Sequence, residues 1–186
     1  LGLALMPIPE ALGGAGVVRA ALSNTLNHED LGQGDYGLAL GAVSPLAFVN
    51  TLLDQGTSAQ QERLLPRFCG EQFVPATTAL MEPRATFEPS EPACTARRTD
   101  QGFILNGRKT LVPLGLAADL VLVIANLEAE GHAAFIVEGT PEGMSRAVES
   151  HMGVRTLELA SLEFNNALLP VDSLLGDKLF DVERFL

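Results

Sequence analysis

The chain has 186 residues and is 47% hydrophobic and 19% charged, which is enough to bury the core of one sizeable domain or two small ones. Its formal net charge of −11 and its lack of tryptophan argue against nucleic-acid binding, because phosphates would be repelled. No apolar run reaches about 18 residues and no basic-then-apolar leader is present, so we expect a cytoplasmic protein with no membrane span. Cys69 and Cys94 stand apart, which predicts reduced, buried thiols and no metal site.

A loop rich in proline and glycine opens the chain, and a first helix is predicted after it. Apolar residues recur at spacings of three and four over residues 17–26, and we expect Gly32 and Gly34 to break this helix. Residues 32–37 also match the GxGxxG pattern of dinucleotide-binding proteins, and Asp54 lies about 20 residues further on. A polar helix end precedes the pattern instead of a buried strand, so we interpret it as a helix stop and a turn.

Two more helices are predicted before the pattern changes. Residues 36–53 are apolar almost all round, which predicts a buried helix, and Pro45 should kink it. Thr57 or Ser58 is placed to cap a third helix that runs to about residue 68.

From residue 73 onward the pattern is that of short strands separated by turns, which suits an antiparallel barrel or sandwich. Asn106-Gly107 between two apolar runs is typical of a β-hairpin turn. The fold class is therefore α+β, with an N-terminal α-helical segment (1–72), a β-barrel or sandwich domain (73–176) and the start of a further helix (177–186). The predicted strands cover residues 73–81, 94–99, 102–105, 109–112, 120–126, 133–138, 145–148 and 157–164.

The polar residues that most often act in catalysis or metal binding do not occur at the spacings of a known catalytic or metal site. His28, His132 and His151 have no partners at ligand or triad spacing, which predicts surface or hydrogen-bonded histidines. Glu82 precedes Pro83 at a strand end, a pattern that by itself indicates a turn.

Four segments, in order and at suitable spacing, resemble the acyl-CoA dehydrogenase family. LGLALMPIPEALGGAG (1–16) is similar to the family's loop of the form lGl…vPeeyGGxG, and TALMEP (78–83) is similar to xALTEP. LNGRKTLVPLGLAADLVLVIA (105–125) resembles lNGxKxWITNaxxADxxxVxA, and MGVRTLELASLEFNNALLPVDSLLG (152–176) resembles GxRxsxtxelxFxdvxVPxxnllG. The resemblance covers nearly the whole chain.

The resemblance implies an oxidoreductase of fatty acid metabolism. In that family an N-terminal helical domain, a middle β-domain and a C-terminal four-helix bundle enclose FAD and an acyl-CoA thioester. A carboxylate removes the α-proton while hydride leaves the β-carbon for flavin N5. The family's catalytic glutamate corresponds to no residue of this chain, so no catalytic residue is assigned and we expect the 186-residue chain to be inactive alone. Helix 36–53 packs on the bundle in the family, so an oligomer or a partner chain is expected.

Several positions that face the flavin in the family carry other residues here. The threonine that hydrogen-bonds the flavin ring corresponds to Met81, and the tryptophan that packs on the ring corresponds to Leu111. Pro113 replaces a threonine and loses both the hydroxyl and the backbone N–H. Thr86 and Phe87 replace the glycine and serine beside the FAD phosphates, whereas backbone contacts near residue 80 do not depend on side chains. The FAD-binding positions that the resemblance implies are Thr78, Leu80, Met81, Thr86, Phe87, Leu111 and Pro113.

Three functions follow from these observations. The first is an acyl-CoA dehydrogenase-type flavoprotein of which this chain is the N-terminal and middle part, incomplete or degenerate at its flavin contacts. The second is a non-catalytic family scaffold or subunit that no longer binds flavin, which the substitutions favour. The third is a related flavin-dependent oxidase or hydroxylase on the same fold.

Overall fold

The computed structural model describes residues 2–86 and 88–185. Its α-helices are α1 (Ala21–Gly34), α2 (Tyr36–Gln55), α3 (Ser58–Leu64) and α4 (Val182–Phe185), and short 3₁₀ turns cover Glu10–Leu12, Leu65–Cys69 and Val171–Ser173. Its strands are β1 (Ala76–Ala79), β2 (Thr95–Thr99), β3 (Gly102–Pro113), β4 (Leu120–Leu127), β5 (Gly131–Glu138), β6 (Met144–Val148) and β7 (Leu159–Leu169). The predicted order, helices first and strands second, is confirmed.

The strands form one curled, mixed sheet in the order β1-β4-β2-β3-β7-β6, and β5 pairs with β4. Most pairs are antiparallel as predicted, but β4 runs parallel to both β1 and β2. Between β1 and β4 the chain makes the β2–β3 hairpin and returns to the same end of the sheet, so β4 repeats the direction of β1. The fold is therefore α+β as predicted, but its sheet is mixed and not purely antiparallel.

Strand β4 lies between two hydrophobic cores, which its alternate side chains enter. On one face they meet Phe103 and Phe135, whose ring centroids are 5.0 Å apart in an edge-on arrangement. On the other face they meet Phe48 and Leu52 of α2. Because both faces are covered, β4 reads in the sequence as a continuous apolar run.

Helix α1 begins later than predicted, at Ala21, and ends at Gly34, the second of the two glycines at which the sequence predicts a break. The interpretation of residues 32–37 as a helix stop and a turn is confirmed, since α2 starts at Tyr36. Gly32 lies within the last turn of α1, because a glycine keeps its backbone N–H and costs a helix only about 1 kcal/mol. The break comes at Asp35, whose extended backbone ends α1 and whose side chain caps α2 by accepting a hydrogen bond from Leu38 N at 2.9 Å.

Helix α2 confirms the predicted second helix, with Pro45 inside it. Its length and composition alone would let it cross a bilayer, and among the described helices it is the one that meets this test. In the structure it packs on β1, where Ser44 Oγ donates to Ala76 O at 3.3 Å. Its buried residues are Gly37, Ala39, Gly41, Pro45, Phe48, Val49, Thr51 and Leu52.

The predicted hairpin turn at Asn106-Gly107 is wrong, because both residues lie inside the continuous strand β3. The turn that joins β2 to β3 is the two-residue loop 100–101, closed by the pair Thr99 and Gly102. A side chain on Gly102 would collide with Leu169 O, so this position requires glycine.

Other local predictions agree with the structure in part, since α3 gives way to a 3₁₀ turn after Leu64 and the helix predicted from residue 177 covers only Val182–Phe185 among the described residues. Thr57 caps α3, since its hydroxyl accepts a hydrogen bond from Gln60 N at 3.2 Å. Cys69 is half-buried and Cys94 is buried, and both are free thiols. Each histidine ring is hydrogen-bonded to a main-chain oxygen: His28 to Asn24 O, His132 to Ser90 O and His151 to Glu149 O.

Candidate functional site

The loop that follows β1 is joined to the far part of β3. Thr110 N donates to Met81 O at 2.9 Å, and Lys109 Nζ donates to Leu80 O at 3.2 Å. These two bonds bring the residues after β1 beside those at positions 109–113, although about 30 residues separate them in the sequence. The two segments that carry most of the predicted FAD-binding positions therefore meet in one place.

Glu82 ties this loop to the sheet from a buried position, where the residue is 3% exposed. Its carboxylate accepts hydrogen bonds from Lys109 Nζ at 2.9 Å, Cys94 N at 2.9 Å and Ala93 N at 2.8 Å. Burial alone would raise the pKa of Glu82, but these three donors, together with the charge of Lys109, hold that pKa below its ordinary value. A buried carboxylate with a lowered pKa is a weak base, and these bonds make Glu82 a structural link between the loop and the sheet.

Burial raises the pKa of the Cys94 thiol to about 11. A thiol of this kind stays protonated at neutral pH, and it is a packing group rather than a nucleophile.

A bulge on β3 lies next to the loop after β1. The pairing of β3 with β7 shifts register between Lys109 and Val112, and Leu111 adopts a left-handed backbone with φ +51°. Glu149, which directly follows β6, accepts hydrogen bonds from Leu111 N at 2.7 Å and from Thr110 Oγ1 at 2.6 Å. A bulge re-aims side chains out of the normal alternation of a strand, and here Leu111 is left 44% exposed.

The loop after β1 and the bulge of β3 form a junction, and the predicted FAD-binding positions differ in how close to it they lie and how exposed they are. Met81 and Leu111 both carry exposed apolar side chains, on the two segments that Thr110 joins. Leu80 is half-buried and packs against the core beneath α2. Pro113 is half-buried at the end of β3, opposite Leu159.

Three further positions complete the set. Thr78 on β1 is half-buried, and its hydroxyl oxygen is buried without a hydrogen-bond partner in the described part of the chain. Thr86 is exposed in the loop beyond Pro83. Phe87 lies outside the described residues.

Sequence reasoning missed two residues that shape the site. Lys109 is fully buried, but the sequence gives no signal of it, because its neighbours Arg108 and Thr110 are polar and the segment resembles an exposed one. Glu149 gives no signal either, because 38 residues separate it from Leu111 and its neighbours are those of an ordinary strand end.

Two family models match the chain. The N-terminal domain of acyl-CoA dehydrogenases matches residues 1–72, and the middle domain of acyl-CoA dehydrogenases matches residues 77–167. The chain belongs to the acyl-CoA dehydrogenase family. Mitochondrial isovaleryl-CoA dehydrogenase from Arabidopsis thaliana is 32% identical over 174 residues, which cover 90% of this chain and 42% of that relative. The chain thus spans less than half the length of this relative.

Solved structures show the same fold. Butyryl-CoA dehydrogenase from Megasphaera elsdenii superposes with a TM-score of 0.82 at 30% identity, covering 95% of this chain and 48% of that one. A structure of PigA with FAD and proline superposes with a TM-score of 0.84 at 25% identity, covering 97% and 48%. The resemblance of the four sequence segments to acyl-CoA dehydrogenases is confirmed by these matches.

The side chains at the junction are of a kind that makes apolar contact with a flat ring and not side-chain hydrogen bonds to it. Met81 and Leu111 can pack on a flat aromatic surface by dispersion. The unpartnered hydroxyl of Thr78 is a polar group of the kind that ligand binding often satisfies. Met81 and Pro113 have neither a hydroxyl nor an amide in their side chains, so they offer the ring no strong side-chain hydrogen bond.

Proposed function

We propose that this chain supplies the N-terminal helical part and the middle β part of an FAD-dependent acyl-CoA dehydrogenase. The observation that carries this proposal is the junction between the loop after β1 and the bulge of β3, where Thr110 N bonds Met81 O at 2.9 Å. The family relationship supports it, since both domain models match in the expected order. The substrate class is an acyl-CoA thioester.

In this mechanism the chain's own residues position the cofactor and keep water away from it. FAD, when bound, would accept the hydride that leaves the β-carbon of the acyl group. Met81 and Leu111 would contact the ring by apolar packing, which orients the ring and excludes water from one side. Glu82 and Lys109 hold the loop that carries Met81, since the Glu82 carboxylate accepts hydrogen bonds from Ala93 N, Cys94 N and Lys109 Nζ. The carboxylate that removes the α-proton is proposed to lie outside this chain.

A second candidate function is a family scaffold or subunit that no longer binds flavin. The observation that favours it is the loss of hydrogen-bonding side chains at Met81 and Pro113. A family member that held FAD only through main-chain groups and apolar contacts would bind it more weakly, because each missing hydrogen bond removes roughly 0.5–1.5 kcal/mol.

One experiment separates the two functions. The protein is expressed at its natural length, and its flavin content is measured by visible absorption after gel filtration, followed by anaerobic addition of butyryl-CoA. Bound FAD that is bleached by the thioester supports the dehydrogenase. A protein that neither retains nor binds FAD supports the scaffold, and in that case the double variant Met81→Thr/Leu111→Trp should gain measurable FAD affinity.

Assembly and location are also proposals. We propose that the protein forms oligomers or pairs with another chain through the helical part, where several large apolar side chains are exposed. A cytoplasmic location stays a prediction, since the Arabidopsis relative carries the word mitochondrial in its name.

A further inference from the structure

Leu111 holds a backbone conformation that a leucine rarely adopts. Its φ of +51° lies in the left-handed region, where the side chain crowds its own backbone. Such a conformation persists only where surrounding contacts hold it, and residues of this kind concentrate at functional sites. The contacts that hold Leu111 in this conformation therefore help to fix the shape of the site.

The carboxylate of Glu149 provides those contacts. One of its oxygens, Oε2, accepts from Leu111 N at 2.7 Å, and the single hydroxyl hydrogen of Thr110 is shared between both oxygens, with Oγ1 2.6 Å from Oε1 and 2.8 Å from Oε2. A guanidinium nitrogen of Arg108 lies 3.7 Å away. The Glu149 side chain is 18% exposed, so water weakens these bonds less than it would on an open surface.

Glu149 is itself fixed in place. Its backbone N–H donates to Leu159 O at 2.9 Å, which continues the pairing of β6 with β7 by one residue. The carboxylate is therefore presented to the bulge from a strand end that cannot easily move, as a preorganised positioning group requires.

We propose that Glu149 is a positioning residue for the cofactor site: it holds the β3 bulge so that Leu111 presents its side chain to the flavin ring. This inference rests on the proposed function, in which Leu111 is a ring-facing residue. Glu149 touches neither cofactor nor substrate and acts through Leu111 and Thr110. The role belongs to an acceptor group, so glutamine retains part of it and alanine retains none.

The test compares Glu149→Ala, Glu149→Gln and the control Glu142→Ala in the protein at its natural length. Glu142 is exposed in the loop before β6, so its variant removes the same charge without touching the bulge. FAD affinity is measured by fluorescence titration. We expect about a tenfold loss for Glu149→Ala, a loss of no more than about threefold for Glu149→Gln, and no change for Glu142→Ala.

A local readout distinguishes positioning from general destabilisation. Hydrogen exchange at the Leu111 amide should become at least about tenfold faster in Glu149→Ala, while exchange at the Leu162 amide in β7 stays unchanged. The loss of FAD affinity should also shrink to less than about twofold in a Leu111→Gly background, where the side chain is absent and the left-handed backbone is no longer strained.

The outcomes that contradict the inference differ from those that contradict the proposed function. A wild-type protein that binds FAD, with Glu149→Ala binding it equally well, overturns the role of Glu149 and leaves the proposed function standing. A tenfold loss that persists in the Leu111→Gly background also overturns it, because Glu149 would then act elsewhere. A wild-type protein with no affinity for FAD overturns the proposed function, and the flavin-positioning role of Glu149 with it.

Discussion

Lys109 and Glu82 form a buried ion pair that connects β3 to the loop after β1. Lys109 is 0% exposed and Glu82 is 3% exposed, and their nearest charged atoms are 2.9 Å apart. Taking two charges out of water costs about as much as their attraction returns, so such a pair adds little net stability. The pair instead fixes the position of Leu80 and Met81, since Lys109 also donates to Leu80 O.

Removing the lysine charge alone should be costly. In Lys109→Met the buried Glu82 carboxylate keeps only the half-exposed Arg84, whose guanidinium lies 3.4 Å from it, as a cationic partner. We expect the free energy of unfolding to fall by about 3 kcal/mol, the lower end of the cost of breaking a buried pair. The measurement is denaturant unfolding at pH 7, followed by circular dichroism. A loss below about 1 kcal/mol would contradict this, because water or Arg84 would then replace Lys109 at Glu82.

The double variant Lys109→Met/Glu82→Gln serves as the control. It removes both charges, so its free energy of unfolding should recover at least about half of what Lys109→Met loses. Because the folded-state pKa of Glu82 lies below its ordinary value of 4.5, the carboxylate adds stability above pH 4.5 that is lost as the pH falls toward that lower pKa. The double variant should lack this acid-dependent loss of stability.

At the scale of the element, β3 shows what the sequence could and could not predict. The apolar runs on either side of Asn106 were both identified as strands, but the Asn-Gly pair between them indicated a turn. In the structure Asn106 Oδ1 accepts from Asn166 N on β7 at 2.8 Å, at a point where the pairing of β3 with β7 shifts register. A short polar side chain and a glycine favour a turn, but here the same two residues form a β-bulge. The partner of Asn106 in this bulge, Asn166, lies 60 residues away in the sequence, so the local pattern could not reveal it.

In this first bulge of β3, between Leu105 and Gly107, the stability of the protein should be most sensitive to substitution at Gly107. Its φ is +132°, and an added Cβ would lie 2.8 Å from Cys94 Cα, so both the backbone and the space oppose a side chain. We expect Gly107→Ala to lower the free energy of unfolding by at least about 2 kcal/mol. Gly139→Ala is the matched control, since Gly139 has φ +64° and nothing within 4 Å, and it should cost only about 1 kcal/mol. Equal losses for the two variants would show that the contact with Cys94 relaxes freely.

At the scale of the whole molecule, the sequence could predict which segments bury apolar residues in the β part but not in the first helix. The spacing of apolar residues over 17–26 predicts a helix with one apolar stripe, yet none of the residues in α1 is buried. Val18, just before α1, is 86% exposed, and within α1 Leu22 is 72% exposed and Leu26 is 51% exposed. Periodicity identifies apolar residues at helical spacing, and it does not say whether they pack on the same chain or on another.

This exposed face leads to a prediction about assembly. Apolar side chains left in water favour association, and burying each leucine contributes about 1.5–3 kcal/mol. We expect the protein to self-associate or to bind a partner chain, and Leu22→Ser/Leu26→Ser should weaken self-association more than tenfold in sedimentation equilibrium. Val148→Ser is the control, because Val148 is 60% exposed on β6, away from α1, and its loss should leave the association constant unchanged. A wild-type protein that stays a monomer at the highest soluble concentration and co-purifies with no other chain would contradict the prediction, since the leucines of α1 would then be stable in water.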